Sequence, residues 1–426
     1  MIKKEYKERI VDSKIEMHLR AFGAIAVEGP KWCGKTWTSE NAAASEFKLG
    51  NPDGNFQNRR LAETNPALVL EGEQPRLIDE WQEVPQIWDA VRAKVDETRK
   101  KGSYILTGSS TPKRKGVMHS GAGRISRIRM GTMSLYESGY SSGEISLEDI
   151  CRDKAEDVNT GEVKLEVLCD LIIRGGWPEN IGLPLEYAAL LPGQYIEAIV
   201  MDDASKLDGK KRDYKKMMRL LRSLARNEST TVSKTVLKRD ILDVDAEIID
   251  ENTISDYLDV FNRLFLIDNQ PPFSPSVRSS IRVKQQEKRH FCDQSVPCAL
   301  MGITKPDMLI GDLETTGFLF ESLVEHDLKI YAESFNANLF HYQDYANKEI
   351  DAVIELDNGD WCAFEIKLGA NQIDTAANNL LDISKRFEED PKGKPPTALC
   401  VICGLTNAAY RRPDGVYVVP ITALKP

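Results

Sequence analysis

The chain has 426 residues, too many for one ordinary domain, and two to four are expected. Its composition, 41% hydrophobic and 29% charged, is that of a soluble globular protein; it has no apolar run of membrane-spanning length and no signal-peptide core behind its lysine-rich start, so a cytoplasmic chain is expected. A net charge of −10 argues against a protein that coats nucleic acid nonspecifically. Several of the eight cysteines (Cys33, Cys169, Cys362, Cys400, Cys403) stand in apolar or motif contexts and read as reduced thiols rather than a disulfide framework. Cys400 and Cys403 have metal-motif spacing inside what reads as a buried strand, and His290, Cys292 and Cys298 lack a fourth ligand, so no zinc is assigned.

The first twenty residues read as an amphipathic helix with Ile10, Ile15, Met17 and Leu19 as its apolar positions. An apolar run at 23–27 reads as a buried strand, and 37–44 has helical composition. Between them Gly29-Pro30-Lys31-Trp32-Cys33-Gly34-Lys35-Thr36 fits G-x-x-x-x-G-K-[ST] completely. Gly29 and Gly34 let the backbone curl so that N–H groups converge on phosphate oxygens at a helix start. Lys35 is expected to reach the β- and γ-phosphates and the Thr36 hydroxyl to ligate magnesium. Residues 29–36, with Trp37 beyond them, form the expected ATP-contacting segment. A glycine-punctuated turn alone explains Gly29 and Gly34 but not Lys35-Thr36.

A strand ending in Asp79-Glu80, within Pro75-Arg76-Leu77-Ile78-Asp79-Glu80-Trp81-Gln82, has the Walker B arrangement. Asp79 would hold magnesium, and Glu80 is placed to polarise the attacking water. The apolar strand at 103–110 ends in the hydroxyl residues Thr107, Ser109 and Ser110. An alternating strand at 122–129 would put Arg127 and Arg129 on one face, with Ile125 and Ile128 near the other. Arg124 is the residue chosen to supply transition-state charge, in its own site or a neighbour's.

These motifs, together with Asp79-Glu80-x-Gln82, Thr107-Gly108-Ser109-Ser110, Gly123-Arg124 and Arg174-Gly175-Gly176-Trp177-Pro178, resemble the prokaryotic AAA-type ATPases that carry a C-terminal domain of unknown function, the AAA_14/DUF4143 family. The resemblance covers nearly the whole chain. It implies an AAA-type core that binds ATP and Mg2+, with Ser109 touching the γ-phosphate and attacking water, and Thr107 as the alternative; a plain polar strand terminus also explains both. Trp32-Cys33 departs from the family pattern, which leaves contacts made by backbone amides untouched.

Residues 136–200 alternate helical segments with a break at 175–178, after which a helix restarts near Leu185. From Lys206 to Arg226 nine basic residues (Lys206, Lys210, Lys211, Arg212, Lys215, Lys216, Arg219, Arg222, Arg226) face only Asp208 and Asp213, which reads equally as a solvated helix face and as a phosphate-contacting one. Three helices and a strand at 264–267 suggest a winged helix-turn-helix, which the resemblance also implies. Asp250, Glu251, Asp256 and Asp259 make its third helix acidic, favouring a structural or protein-contacting role. A proline-rich connector at 270–275 leads to a basic stretch with Arg278, Arg282, Lys284, Lys288 and Arg289.

Near the C-terminus, residues 349–356 and 361–368 alternate with even positions apolar. A two-residue turn would pair Asp351 with Ile366, whereas a three-residue loop, Asp357-Asn358-Gly359, sets Asp351 opposite Glu365 with Lys367 on the same face. With Glu321 from a preceding helix, these residues resemble the PD-(D/E)xK nucleases. That resemblance implies carboxylates binding Mg2+ (Glu321, Asp351, Glu365) and Lys367 helping to activate water. A hairpin with solvated charges is the alternative.

The expected architecture is α/β and multidomain: a P-loop AAA-type ATPase core (1–135), a helical lid or linker (136–205), a winged helix-turn-helix (206–275), a basic linker (276–310), and a restriction-endonuclease-like α/β domain (311–426). The expected function is Mg2+-dependent ATP hydrolysis coupled to action on nucleic acid, with metal-dependent cleavage as a further activity. The rival is a nucleotide-controlled switch or scaffold for protein partners with an inactive nuclease-like domain. No membrane partner is expected, and the oligomeric state is open.

Overall fold

The computed structural model describes residues 6–111, 119–241, 250–274, 285–344, 348–389 and 393–426. Arg278, Arg282 and Lys284 of the expected basic stretch lie outside them. The chain divides into two compact units, one of Met1–Thr132, Ile199–Arg212 and Leu258–Leu266, the other of Met133–Ala198, Asp213–Tyr257 and Ile267–Pro426.

The first unit is built on five parallel strands: β1 (Ala24–Glu28), β2 (Ser45–Lys48), β3 (Arg76–Asp79), β4 (Tyr104–Gly108) and β5 (Ile125–Arg129), in the order β2-β3-β4-β1-β5. β1 is buried along its whole length, as a central parallel strand covered on both faces must be. Period-two alternation divides it: Ile25 and Val27 pack with Ile15, Leu77, Ile105 and Ile128 on one face, Ala24 and Ala26 with Trp81, Trp88 and Val91 on the other. The first helix, α1 (Val11–Ala21), buries Ile15 as expected, but Ile10 is its N-cap and Met17 lies exposed. The helix after the P-loop, α2 (Lys35–Ala42), begins two residues earlier than its composition suggested. Two corrections concern β5. Ile125 shares the core of Trp88, over whose ring Arg127 stacks at 4.5 Å, so Ile125 and Arg127 are on one face and Ile128 is on the other. Arg124 precedes the strand, in a turn between Gly123 and Ile125.

The second unit holds a short parallel pair, β6 (Ile145–Ser146) with Leu424–Lys425, and a seven-stranded mixed sheet. Its strands are β7 (Val158–Asn159), β8 (Asn338–Gln343), β9 (Glu349–Glu355), β10 (Trp361–Gly369), β11 (Ala398–Leu405), β12 (Ala408–Arg411) and β13 (Tyr417–Pro420), in the order β7-β12-β13-β11-β10-β9-β8. Cys400 and Cys403 are buried in β11, and all eight cysteines are free thiols. Val353, Trp361, Ala363, Val401 and Val418 pack on Ile373, Ala376 and Leu380 of the Ile373–Glu389 helix. Gly404, on the other face, lies against Phe320 of the Leu313–Ser334 helix. β9 and β10 run antiparallel with Ala352 opposite Phe364 and Glu355 opposite Trp361. The loop between them closes through Leu356 N–H to Asp360 O at 2.8 Å, and Gly359 at φ 77° takes the left-handed position that a side chain would strain.

Three helices, Tyr214–Arg226, Lys234–Ile241 and Glu251–Arg263, occupy the stretch read as helix, helix, helix, strand. The expected strand at 264–267 does not form. Phe265 turns left-handed at φ 55° beyond the last helix, and the chain continues through isolated antiparallel bridges, Ile267 to Phe291 and Gln270 to Lys288. The Arg174-Gly175-Gly176-Trp177-Pro178 break is structural: Gly176 N–H donates to Asp293 Oδ2 at 2.8 Å and Trp177 Nε1–H to Ser295 Oγ at 2.9 Å. Among the described residues no helix is long and apolar enough to cross a membrane.

Candidate nucleotide site and carboxylate cluster

The P-loop leaves the carboxyl end of β1 and turns directly into α2. A Cβ on Gly29 would stand 2.0 Å from the Met130 carbonyl oxygen, so only glycine fits where the loop crosses the neighbouring strand. Gly34 and Trp32 take positive φ, 100° and 66°, which curls the loop back toward the helix N-terminus. Trp32 and Trp37 point outward and are exposed, whereas Cys33 is buried with its thiol against Met130 O. Lys35 is buried and folded back, Nζ donating to Pro30 O at 2.6 Å.

Three strand ends converge beside it. Asp79 Oδ1 accepts from Thr36 Oγ1 at 2.9 Å and from Thr107 Oγ1 at 2.6 Å. Ser109 Oγ donates to Glu80 Oε2 at 2.8 Å, Gln82 Nε2 donates to the same carboxylate oxygen and to Ser109 Oγ, and Glu80 N–H donates to Thr107 Oγ1 at 3.0 Å. The order of the strands explains the meeting: β4 lies between β1 and β3, so its hydroxyl-bearing tip falls between the P-loop and the Asp-Glu pair. Thr107 and Ser109 are therefore both used, one on each acid. A hydroxyl and a carboxylate aimed at one point form a hard-oxygen donor set, and these residues fit Mg2+ held with a nucleotide.

Arg124 does not join this site. Its carbonyl accepts from Ala24 N–H at the beginning of β1, the far end of the strand from the P-loop, about 15 Å away at the usual rise per residue. Its guanidinium donates to Asp96 Oδ1 at 2.7 Å. The reading of Arg124 as a finger acting in its own chain's site is corrected on that ground. Arg127 is tied by two bonds, 2.8 and 2.9 Å, to Glu28, whose carboxyl burial pushes up against the pull of that arginine. Contacts unseen in the motifs also brace the loop: Arg9 Nη1 donates to Cys33 O at 2.9 Å, and Lys31 pairs with Asp203 at 2.6 Å. Asp203 lies in a π-helical turn, Ile199–Asp203, more than 170 residues from Lys31, and no local pattern announces it.

In the second unit the structure brings together Asp351, Glu365, Lys367 and Glu321, and adds three residues not singled out from sequence as part of a site: Lys288, Glu325 and His290. Lys367 Nζ lies 2.9 Å from Asp351 Oδ2 and 2.7 Å from Glu365 Oε2. Asp351 also accepts from Ile366 N–H at 2.7 Å, and Glu365 from Asn379 Nδ2 at 2.8 Å. Lys288, 7% exposed, contacts Glu321, lies 2.8 Å from Glu325 Oε1 and donates to Asp351 O at 3.3 Å. Burial would lower the Lys288 ammonium, but Glu321 and Glu325 overcome it and hold it raised. Burial and the neighbouring carboxylates push Glu365 up to about 7 and Glu321 to about 8, while Lys367 holds Asp351 low and Lys288 holds Glu325 low, each against burial. Asp351 and Glu325 are thereby favoured in the charged form, each beside a lysine.

The carboxylates are spent on lysines and amides, and among the described residues no group of three or more His, Cys, Asp or Glu is arranged to hold a metal. Glu321, Asp351 and Glu365 do not fit a magnesium site as they stand; hard-cation chemistry needs free carboxylate oxygens, and here buried ammonium groups occupy them. Nor is the cluster a solvated hairpin face, since Glu365 is buried.

His290 adds a pH dependence. Its Nδ1 lies 3.3 Å from Glu228 Oε1; its Nε2 is 3.0 Å from Glu325 Oε2 without hydrogen-bond alignment, so charge rather than a directed bond joins that pair. Burial lowers His290, but Glu325 and Glu228 raise it from 6.5 to about 9. A raised folded-state pKa stabilises fully below pH 6.5, and that contribution is lost as pH rises through about 9. The expected result is a melting temperature that falls between these limits, flattened in His290→Gln; on the order of 3 kcal/mol is at stake.

Three family models match the chain: the AAA domain (AAA_14) over residues 21–139, a domain of unknown function (DUF8612) over 165–307, and a domain of unknown function (DUF4143) over 316–424. With their parallel sheet and P-loop, residues 21–139 form an AAA domain of the AAA_14 type. The chain pairs that domain with a C-terminal DUF4143 domain, the combination found in the AAA_14/DUF4143 proteins. No curated protein matches it in sequence. Among solved structures it is similar to the Walker-type ATPase PABY2304 of Pyrococcus abyssi, at 13% identity and a TM-score of 0.38, over 70% of this chain and 97% of that one.

Proposed function

We propose that the chain hydrolyses ATP with Mg2+ and couples turnover to action on nucleic acid. The supporting observation is the convergence of Thr36 and Thr107 on Asp79 beside a Glu80 held by Ser109 and Gln82. Backbone amides of the P-loop hold the phosphates, and Lys35 exchanges the Pro30 carbonyl for them. Thr36 and Asp79 would hold the metal, which when bound neutralises charge on the transferred phosphoryl group. Glu80 Oε2 takes the proton of the attacking water, and Ser109 orients both.

A second reading, a switch whose nuclease-like domain is inert, is favoured by one observation: Lys288 and Lys367 fill the carboxylate cluster. We adopt it for that domain while keeping nucleic acid as the partner of the ATPase. The division into lid, winged helix and nuclease-like domain is retained as part of the proposal. The test measures ATP turnover with and without duplex DNA, single-stranded DNA and RNA, alongside a Mg2+-dependent nicking assay of the parent and Asp351→Ala. Turnover altered by one of the polymers, with no nicking by either protein, is expected. Indifference to all three removes the coupling, and nicking by the parent alone removes the inert reading.

A further inference from the structure

Several charged helices among the described residues pair their own charges. Arg20 meets Glu16, Arg59 meets Glu63, Arg92 meets Asp96 and Arg152 meets Glu148, each one helical turn apart. The Tyr214–Arg226 helix breaks that habit. It carries Lys215, Lys216, Arg219, Arg222 and Arg226 and not one acidic residue. Lys215, Arg219, Arg222 and Arg226 follow one another at spacings of four, three and four, which aligns them along one face, and all four are exposed. The opposite face is the buried one, carrying Met217, Leu220, Leu221 and Leu224. Of the four cations only Arg226 has an acidic neighbour, Asp240 at 3.8 Å, while Lys215, Arg219 and Arg222 have none among the described residues.

Like charges at these spacings repel and weaken a helix. The row therefore does not serve the stability of its own element. The remainder of the earlier basic segment behaves differently: Arg212 is locked in a two-bond buried pair with Asp208, both at 2.9 Å, and is withdrawn from solvent.

We propose that the Lys215–Arg219–Arg222–Arg226 face is the contact surface for a nucleic-acid backbone, read through phosphates and without base specificity. The proposal rests on nucleic acid being the partner of the ATPase and assigns where the polymer touches. Flexible lysine and arginine side chains on a convex helix face suit evenly spaced phosphates. The Glu251–Arg263 helix, acidic at its start, is not the reader.

The test uses the full chain and a fluorescein-labelled duplex of arbitrary sequence, titrated over a salt series. Four phosphate contacts predict a slope of log affinity on log salt of about −3.6 for duplex DNA. Arg219→Gln with Arg222→Gln should flatten it by about 1.8, with weaker binding at low salt, while the melting temperature holds or rises because repulsion has been relieved. A structural role for the arginines would lower the melting temperature instead. An unchanged slope and affinity overturn the assignment. So does a poly-glutamate peptide that binds in a variant-sensitive way where the duplex does not, which would make the face a protein contact. Turnover separates the two levels of the reading. If the duplex still stimulates ATP turnover equally in parent and variant, the coupling stands and this surface falls; if binding is lost in the variant but the duplex never altered turnover, the surface stands and the coupling falls.

Discussion

Glu80→Gln is expected to bind ATP as the parent does and to hydrolyse it about 10²–10⁴-fold more slowly, the usual worth of a positioned general base. The substitution is nearly isosteric and polar, so it preserves the left-handed backbone at φ 59° and the contacts to Ser109 and Gln82. What it removes is an oxygen able to take a proton. Lys35→Ala should behave in the opposite way and lose nucleotide affinity, because on the proposed mechanism its ammonium is the cation that meets the phosphates. Calorimetric binding together with steady-state turnover separates the two effects. Parental turnover by Glu80→Gln would remove that residue from the chemistry.

Lys288→Met should destabilise the fold by about 3–5 kcal/mol, the cost of leaving buried carboxylates without their cation. Lys288 is buried, and the Glu325 charge depends on it. Pairing Lys288→Met with Glu325→Gln should recover part of the loss, since the orphaned charge is then absent. Denaturant unfolding measures both, and adding Mn2+ without nucleotide should leave the parent's midpoint unchanged. A loss within the ~0.5 kcal/mol of an ordinary surface change would show that the cluster is not charged as described.

The nucleotide site was legible because its parts are consecutive residues. Gly29, Gly34, Lys35 and Thr36 act through the local curl of one loop, and the Asp79-Glu80 pair through the end of one strand. The loop at 357–359 was legible for the same reason: alternation on both sides permits only one parity of pairing. Thr107 and Ser109 read as alternatives in the sequence because nothing in their own strand says which acid each will meet.

The sequence by itself determined the phosphate loop, the acidic pair and the hairpin register, since each depends on backbone geometry within a few residues. Only the tertiary structure decided which charges meet. It put Arg124 at the wrong end of the sheet, gave Lys31 to Asp203 across 172 residues, and set Lys288 against Glu325, 37 residues further on. Such pairings follow from how distant segments stack and how much water they exclude. A charged residue looks alike in the sequence whether it will face solvent, a metal or a buried counter-ion.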